Sequence, residues 1–232
     1  MLKALMLKEL RDVRGIAVLA LLIYTFLLTY AIMPALWWDY MPVAQMWENG
    51  RPSPTLLPFI EDSFTPGFVV ASVVLAIALG LWQSAGETKR GTFAFLLHRP
   101  VTRRQIIGLK LSAGLMTYLL CAAIPLLAYT LWAATPGTHA GPFEWSMSWP
   151  AWTRWWAMTL VYAGAFLTGI RPARWYGTRF LPLIVAVVGF AISAGIALDV
   201  PQAMPWVCLA ILAADIWLTS AILFVTQTRD FS

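Results

Sequence analysis

Charged side chains are scarce in this sequence. Asp, Glu, Lys and Arg together make up 12% of its 232 residues, and 60% of the residues are hydrophobic. Soluble domains carry about 25% charged and about 45–50% apolar residues. A soluble fold of this length would have too few polar side chains to cover its surface. We therefore predict an integral membrane protein rather than a soluble enzyme.

Cysteine and histidine are equally scarce, with two residues of each type. Cys121 and Cys208 lie in apolar segments, where cysteine usually behaves as a small buried hydrophobe. His98 and His139 are far apart in the sequence. No disulfide framework can be built from these residues, and they do not have the spacing of a metal site. We predict no bound metal.

The sequence also lacks the common catalytic motifs. It has no G-x-x-x-x-G-K-[ST] phosphate loop, no H-E-x-x-H zinc motif and no G-x-S-x-G nucleophile motif. We predict no catalytic residue and no cofactor in this chain. The net charge of +5 would fit a nucleic-acid partner in a soluble protein. Here the placement of the charges points to the membrane instead, and we predict no nucleic-acid partner.

What the sequence does contain is six apolar segments. Each is close to the roughly 20 residues that a helix needs to cross the hydrocarbon core. None shows the strict alternation of a transmembrane β-strand. We predict a single all-α transmembrane domain over residues 1–232, with six spans at about 16–37, 67–85, 111–134, 152–170, 181–198 and 206–225.

The positions of Lys and Arg predict the orientation of the chain, because cytoplasmic loops are enriched in these residues. With both termini inside, fourteen of the sixteen Lys and Arg residues fall on the cytoplasmic side. Only Arg51 and Arg154 fall outside. Tryptophans concentrate at the predicted outer ends of the spans, where an amphipathic ring favours the interface. We predict a multi-pass protein with cytoplasmic N and C termini.

Residues 1–15 form a basic amphipathic pattern. Leu2, Leu5 and Leu10 recur at helical spacing, while Lys3 and Lys8 lie elsewhere on the helical wheel. Such a helix can lie in the inner interface beside anionic head groups. We expect either an elbow helix that leads into the first span or a simple topology anchor.

The segment between the second and third predicted spans is longer than the usual helix connection of about 2–8 residues. Within residues 86–104 we predict a short cytoplasmic helix at about 92–98. Thr92 can cap its start, and Arg99-Pro100 ends it because a residue before proline avoids the helical region. Thr102 then caps the next helix, and Gln105 follows at the spacing of a capping box.

The short helix presents apolar side chains on a cytoplasmic loop. They are Phe93, Phe95, Leu96 and Leu97. An exposed apolar ridge of this kind needs a partner surface. We expect it to pack against the bilayer surface or against another protein.

This loop resembles the region after the second span in ABC-type-2 permeases, the membrane subunits of one class of ATP-binding-cassette transporter. The run Lys8-Glu9-Leu10-Arg11-Asp12 before the first predicted span is also similar to that family, as is the order of six spans with both termini inside. The matching loop positions are Glu87, Gly91, Thr92, Leu96, Leu97, Pro100, Val101, Thr102, Arg103, Arg104, Ile106 and Lys110.

The resemblance implies an ATPase-coupling site. The helix at 92–98 would be a coupling helix that docks in a cleft of a separate P-loop ATPase subunit, which would use ATP and Mg. Its site residues would be Glu87, Gly91, Thr92, Phe93, Phe95, Leu96, Leu97, Pro100, Arg103, Arg104 and Lys110. The basic residues at the foot of the third span would pair with the partner or hold the loop. The alternative is that they only determine topology.

For the whole chain, the resemblance implies a permease subunit of an exporter in the inner membrane of a prokaryote. A second permease chain, identical or related, would complete the path through the bilayer. A second hypothesis is a non-transporting anchor or accessory subunit of an ATPase complex. A third is a membrane-embedded enzyme, which would need a cluster of polar residues within the spans.

Asp215 is the one ionisable residue near the centre of a predicted span. A charge there costs several kcal/mol unless it is paired, neutralised or in contact with water. Thr219, one turn away, could share a hydrogen bond with it. Asp215 would line the translocation path or a subunit interface, or it would be a protonated or locally bonded residue with a packing function.

Two pairs of small residues stand at helix-packing spacing. They are Ala76 with Gly80 and Ala191 with Gly195. Small residues let helices in membranes approach closely. We expect close helix contacts at both pairs, within one chain or between two.

Overall fold

The computed structural model describes residues 2–37, 47–48, 51–52, 57–60, 62, 64–90, 102–138, 143–171 and 176–228. Two-residue strands β1 (Trp47–Glu48) and β2 (Arg51–Pro52) form an antiparallel pair between the first two helices. The 3-10 helices Trp145–Ser148 and Pro201–Ala203 precede the fourth and sixth helices. The helices are α1 (Leu2–Trp37), α2 (Phe64–Arg90), α3 (Arg103–Ala134), α4 (Trp149–Ile170), α5 (Tyr176–Asp199) and α6 (Met204–Thr228).

Five of the described helices are long and apolar enough to cross a membrane. The segments are Lys3–Ile32, Phe64–Gly86, Arg103–Ala134, Thr178–Asp199 and Met204–Thr228. They overlap five of the six spans that the sequence predicted. Apart from β1 and β2, the described part of the chain has the all-helical architecture of a multi-pass membrane protein.

Helix α4 covers the predicted fourth span but is not among these five helices. Its first half carries Arg154, and every residue from Ala157 to Ile170 is buried. Helices α2, α5 and α6 all pack against it. A helix that is surrounded by protein needs no apolar face toward lipid. Five of the six predicted spans are therefore confirmed, and α4, the remaining one, is a helix enclosed by its neighbours.

Helix α1 is continuous over 36 residues, so the predicted elbow is not a separate element. At 1.5 Å per residue the helix is about 54 Å long, well beyond the roughly 30 Å of the hydrocarbon core. Leu5 on its amphipathic face packs with Ile106 and Leu109 of α3, whereas Lys3 and Arg14 are exposed. The amphipathic pattern thus serves contact with α3, and a role as an interfacial elbow is not confirmed.

Helix α3 begins as the sequence predicted. The Thr102 hydroxyl accepts a hydrogen bond from the Gln105 N–H at 3.3 Å, and the Gln105 carboxamide accepts one from the Thr102 N–H at 3.2 Å. This capping box satisfies two backbone donors at the helix start. The predicted short helix at 92–98 lies outside the described residues, as do Gly91, Thr92, Phe93, Phe95, Leu96, Leu97 and Pro100.

Helices α2 and α4 approach each other closely at Gly80. A Cβ at Gly80 would lie 2.7 Å from the Tyr162 carbonyl oxygen and 2.9 Å from the Phe166 nitrogen. Ala76, one turn earlier in α2, is fully buried. Close approach at Gly80 is therefore a contact within this chain, as the spacing of small residues allowed.

The second predicted pair, Ala191 and Gly195 in α5, makes no such contact with the described residues. Ala191 is exposed, and a Cβ at Gly195 would meet nothing within 4 Å. The α4–α5 contact uses Gly164 instead, where a Cβ would lie 2.9 Å from the Pro182 carbonyl oxygen. Residue spacing alone does not determine which face of α5 meets the bundle.

We predict that Gly80→Ala destabilises the bundle, because its methyl group would press against the α4 backbone. Overpacking of this kind costs about 1–3 kcal/mol in the free energy of unfolding. Thermal unfolding in detergent, followed by circular dichroism, measures the change. Gly108→Ala is the matched control, since Gly108 lies in α3 with open space around it. Gly108→Ala should raise the free energy of unfolding by up to about 1 kcal/mol, because alanine has a higher helix propensity than glycine. Equal effects of the two changes would contradict the close approach at Gly80.

Candidate functional site at the basic end of the bundle

One end of the bundle joins the start of α1, the end of α2, the start of α3 and the end of α6. The Lys110 side chain of α3 reaches Glu9 of α1, and Arg104 of α3 bonds to Gln227 of α6 at 3.2 Å. We call this the basic end. Its described Lys and Arg residues are Lys3, Lys8, Arg11, Arg14, Arg103, Arg104, Lys110, Arg171 and Arg179. The positions predicted to be cytoplasmic therefore gather at one end.

The Glu9–Lys110 ion pair is the most enclosed charged contact of the described residues. Lys110 Nζ lies 2.9 Å from Glu9 Oε2, and the two side chains are only 1% and 2% exposed. Lys8 Nζ stands 3.7 Å from the other Glu9 oxygen. Removing two charges from water is expensive, and close pairing with good geometry offsets that cost. The pair therefore locks the first third of α1 against the foot of α3.

A chain of hydrogen bonds continues from this pair into the bundle. The Gln83 carboxamide of α2 donates to the Lys110 carbonyl oxygen at 3.3 Å. The Tyr162 hydroxyl of α4 lies 2.8 Å from the Gln83 carboxamide oxygen and 3.1 Å from the Leu111 carbonyl oxygen. Glu9, Lys110, Gln83 and Tyr162, which we call the buried polar chain, thus connect four helices. Partners of this kind are what buried polar groups need in the absence of water.

Gly114 makes room for this arrangement. It stands one turn after Lys110 in α3, and any side chain there would overlap the Gln83 carboxamide and the Tyr162 hydroxyl. The position has no unusual backbone conformation. Its lack of a Cβ matters because a polar side chain of α2 must cross the surface of α3 at this point.

The predicted coupling residues that the structure describes lie around this chain. Lys110 is buried inside the bundle, where it holds the foot of α3 and cannot reach a docking partner. Arg104 is exposed, and Arg103 is half-buried. Glu87 lies in the last turn of α2, at the edge of the loop. Arg103, Arg104 and Lys110 thus share the start of α3, but Lys110 is buried against α1 whereas Arg104 is exposed beside α6.

Asp215 lies at another place, between α6 and α4. One carboxyl oxygen is within hydrogen-bonding distance of the Thr159 hydroxyl of α4. The other, Oδ1, is buried and has no hydrogen-bond partner among the described residues. Thr219, the partner that the sequence offered, is exposed on α6. The partner of Asp215 comes from a neighbouring helix, which spacing along α6 alone does not reveal.

An open groove of about 660 Å³ lies at the opposite end of the bundle. Its walls come from the 3-10 helix Trp145–Ser148, from α4 and from the start of α6. The lining is mostly apolar, with Trp145, Trp149 and Met204 beside the polar Gln202. Its size falls within the range of small-molecule sites, about 300–1,000 Å³. Among the described residues of the lining, Cys208 is the one ionisable residue, and none carries a formal charge.

Sequence reasoning missed Glu9, Gln83 and Tyr162 as members of one site. Glu9 was noted only as part of a family-like run, and Gln83 and Tyr162 lie in segments assigned to spans. A carboxamide within an apolar helix is a usable signal, because it must find a partner inside a membrane protein. What the sequence does not give is the pairing of residues that stand 101 positions apart.

Across the described residues, no group of three or more His, Cys, Asp or Glu side chains could hold a metal ion. The buried polar chain contains no activated nucleophile, and its one ion pair is internally neutral. Comparison of the sequence with models of protein families, with curated proteins and with solved structures finds no match. The resemblance to ABC-type-2 permeases therefore remains a prediction from the residues quoted above.

We predict that Lys110→Met destabilises the protein strongly, because it leaves the Glu9 carboxylate buried without its partner. Breaking a buried pair from one side costs about 3–5 kcal/mol. The double variant Glu9→Gln, Lys110→Met should lose much less free energy of unfolding than the two single variants lose in sum. A double-mutant cycle in the free energy of unfolding measures this coupling.

Lys8→Met is the matched control for this cycle. Lys8 contacts the same carboxyl group, but its side chain is 38% exposed. A surface pair of this kind is worth about 0–1 kcal/mol, so the change should have little effect. Additive effects of the Glu9 and Lys110 changes would show that the two charges do not stabilise each other.

Proposed function

We propose that this chain is the membrane-spanning subunit of an ATP-binding-cassette transporter of the ABC-type-2 permease class, acting as an exporter. A separate P-loop ATPase subunit, with its own ATP and Mg, would supply the energy. Two permease chains, identical or related, would form the path across the inner membrane of a prokaryote. In this arrangement α4 would serve as the sixth span, enclosed by the other helices.

The observation that carries the proposal is the length of the two helices, α2 and α3, between which residues 91–101 lie in the sequence. Helix α2 has 27 residues and α3 has 32, which at 1.5 Å per residue gives lengths of about 40 and 48 Å. Both exceed the roughly 30 Å of the hydrocarbon core, and both reach the loop at the basic end. Two long helices that carry one apolar loop suit contact with a partner protein better than contact with lipid.

The buried polar chain would carry a movement of that loop into the bundle. Lys110 lies two helical turns after the start of α3 and is tied to α1 through Glu9 and to α2 through Gln83. Force applied to the loop by a closing ATPase would reach α1, α2 and α4 together, because packed helices move as rigid bodies. The Arg104–Gln227 hydrogen bond would transmit the same movement to the end of α6.

A second candidate is a non-transporting membrane anchor or accessory subunit of an ATPase complex. It would use the same loop and the same two helices. The mostly apolar groove at the opposite end of the bundle favours neither candidate, since it lacks charged groups that would select a substrate. Transport by the reconstituted complex separates the two functions.

We predict that the tagged chain, purified from its native membranes in mild detergent, brings a P-loop ATPase with it. Glu87→Lys, and separately the double change Phe95→Asp, Leu96→Asp, should abolish that co-purification. A reversed charge removes the acidic residue at the end of α2, and the two aspartates remove the apolar ridge. Mass spectrometry of the eluate measures the loss.

The matched controls lie at the opposite end of the bundle. Glu144→Lys reverses an exposed carboxylate, and Ile60→Asp places a charge on an apolar side chain that is 61% exposed. Both variants should retain the ATPase. If no ATPase accompanies the folded wild-type chain, the transporter proposal fails, and the loop is better explained as a membrane-surface anchor.

A further inference from the structure

Two hydrogen-bond contacts converge on a single hydroxyl group between α4 and α6. Thr159 Oγ1 lies 2.7 Å from the Trp156 carbonyl oxygen and 2.5 Å from Asp215 Oδ2. A threonine hydroxyl has one proton to donate and two lone pairs to accept with. It donates to one of the two oxygens, or it shares its one proton between both in a three-centre bond. The contact with Trp156 must be a donation from Thr159, because a carbonyl oxygen has no proton.

A proton on Asp215 gives each of the two contacts a donor of its own. If Oδ2 carries the proton, Asp215 donates to Thr159, and Thr159 donates to the Trp156 carbonyl oxygen. Each contact then has one donor and one acceptor. If Asp215 is ionised, the one Thr159 proton is shared between the two oxygens or donated to only one of them. The short Oδ2–Oγ1 distance fits donation in either direction. Whether Asp215 carries a proton therefore decides which of the two residues donates to the other.

The surroundings of Asp215 also favour the neutral acid. Oδ1 is buried without a hydrogen-bond partner among the described residues. A neutral carbonyl oxygen tolerates this situation far better than half of a carboxylate does. Thr159 is the one polar side chain within hydrogen-bonding distance of Asp215 in the described part of the chain. An ionised carboxylate in a membrane span would require a cation or water.

The ionisable groups on neighbouring helices do not supply that cation. Helices α3, α4 and α5 pack against α6, and their described charged residues are Arg103, Arg104, Lys110, Arg154, Arg179 and Asp199. Lys110 is paired with Glu9, Arg104 with Gln227, and Arg179 with the Thr168 carbonyl oxygen. Arg154 interacts with the charge of Asp62. The Tyr162 hydroxyl is directed to Gln83, and Cys208 lies two turns before Asp215 on α6.

We propose that Asp215 and Thr159 form a reversible proton-binding site between α4 and α6. With the proton bound, the order of donation is Asp215 to Thr159 to the Trp156 carbonyl oxygen. When the proton leaves to water, the Thr159 hydroxyl turns and donates to the Asp215 carboxylate. The Trp156 carbonyl oxygen keeps its ordinary helix hydrogen bond from residue 160, so the exchange leaves no backbone group unpaired.

This assignment does not depend on the transporter proposal. It assigns Asp215 the function of binding a proton. The sequence alone had allowed either a position lining the translocation path or a subunit interface, or a packing function. The two states differ in which side chain donates across the α4–α6 contact. Any movement that opens this contact to water would favour release of the proton.

The first test uses the unmodified protein in lipid nanodiscs and dicyclohexylcarbodiimide as the probe. A protonated carboxyl in an apolar site adds across the carbodiimide, giving its proton to nitrogen and bonding through oxygen to the central carbon. We expect the peptide that contains Asp215 to be modified at neutral pH, with modification declining as the pH is raised. Glu9 is the internal control, because its buried carboxylate is paired with Lys110 and should remain unmodified. Modification of Glu9 but not Asp215 would overturn the proposal.

A second test uses infrared difference spectroscopy against Asp215→Asn, which removes the carboxyl group while keeping its size. Wild type should show the carbonyl stretch of a protonated carboxylic acid, and the variant should lack it. Thr159→Val should shift this band upward because the acid loses its acceptor, while Thr159→Ser should leave it in place. If wild type shows no such band, or if the band appears only in Thr159→Val, Asp215 is ionised in the native protein and the proposal is wrong.

Discussion

The lack of water in the hydrocarbon core is the constraint on which this structure depends. Inside a bilayer a polar group has to find its partner within the protein, because an unsatisfied group costs several kcal/mol. Many serine and threonine side chains of the helices meet this demand locally, as Thr117 does with the Ala113 carbonyl oxygen. Longer side chains cannot, and Glu9, Gln83, Lys110 and Tyr162 pair across helices instead. These cross-helix pairs fix how α1, α2, α3 and α4 stand against one another.

The same constraint explains the central position of α4. Helix α4 carries Arg154 in its first half, and it supplies polar side chains to both buried sites, Tyr162 to one and Thr159 to the other. A helix with these residues is least costly where protein surrounds it. Close contacts at Gly80 and Gly164 bring α2 and α5 against it, which excludes lipid and shortens the distances that the polar side chains must span.

The two buried sites differ in how they handle charge. Glu9 and Lys110 neutralise each other, so their site is fixed and suited to holding helices in place. Asp215 has no cation beside it among the described residues, and its neutrality must come from a proton. One site therefore belongs to the rigid part of the molecule, and the other can change state. Helix α4 contributes to both, through Tyr162 and, one turn earlier, through Thr159.

Much of the fold follows from the sequence alone. The apolar segments predicted six spans, five of which are confirmed. The Thr102–Gln105 spacing predicted the start of α3, because length in a bilayer and helix capping are local properties. The grouping of Lys and Arg at one end also follows from their order along the chain. Asp215 stood out because a charge within an apolar run is costly wherever the helix packs.

Only the tertiary structure determined which polar residues meet. Glu9 and Lys110 pair across 101 positions, and Asp215 is paired with Thr159 rather than with Thr219 on its own helix. Periodicity shows which residues share a helix face, but it does not show which neighbouring helix that face contacts. For the same reason the sequence predicted close packing at Gly195, which faces away from the described bundle, and did not predict the central position of α4. Those choices depend on the summed contacts of all the helices, which no single segment contains.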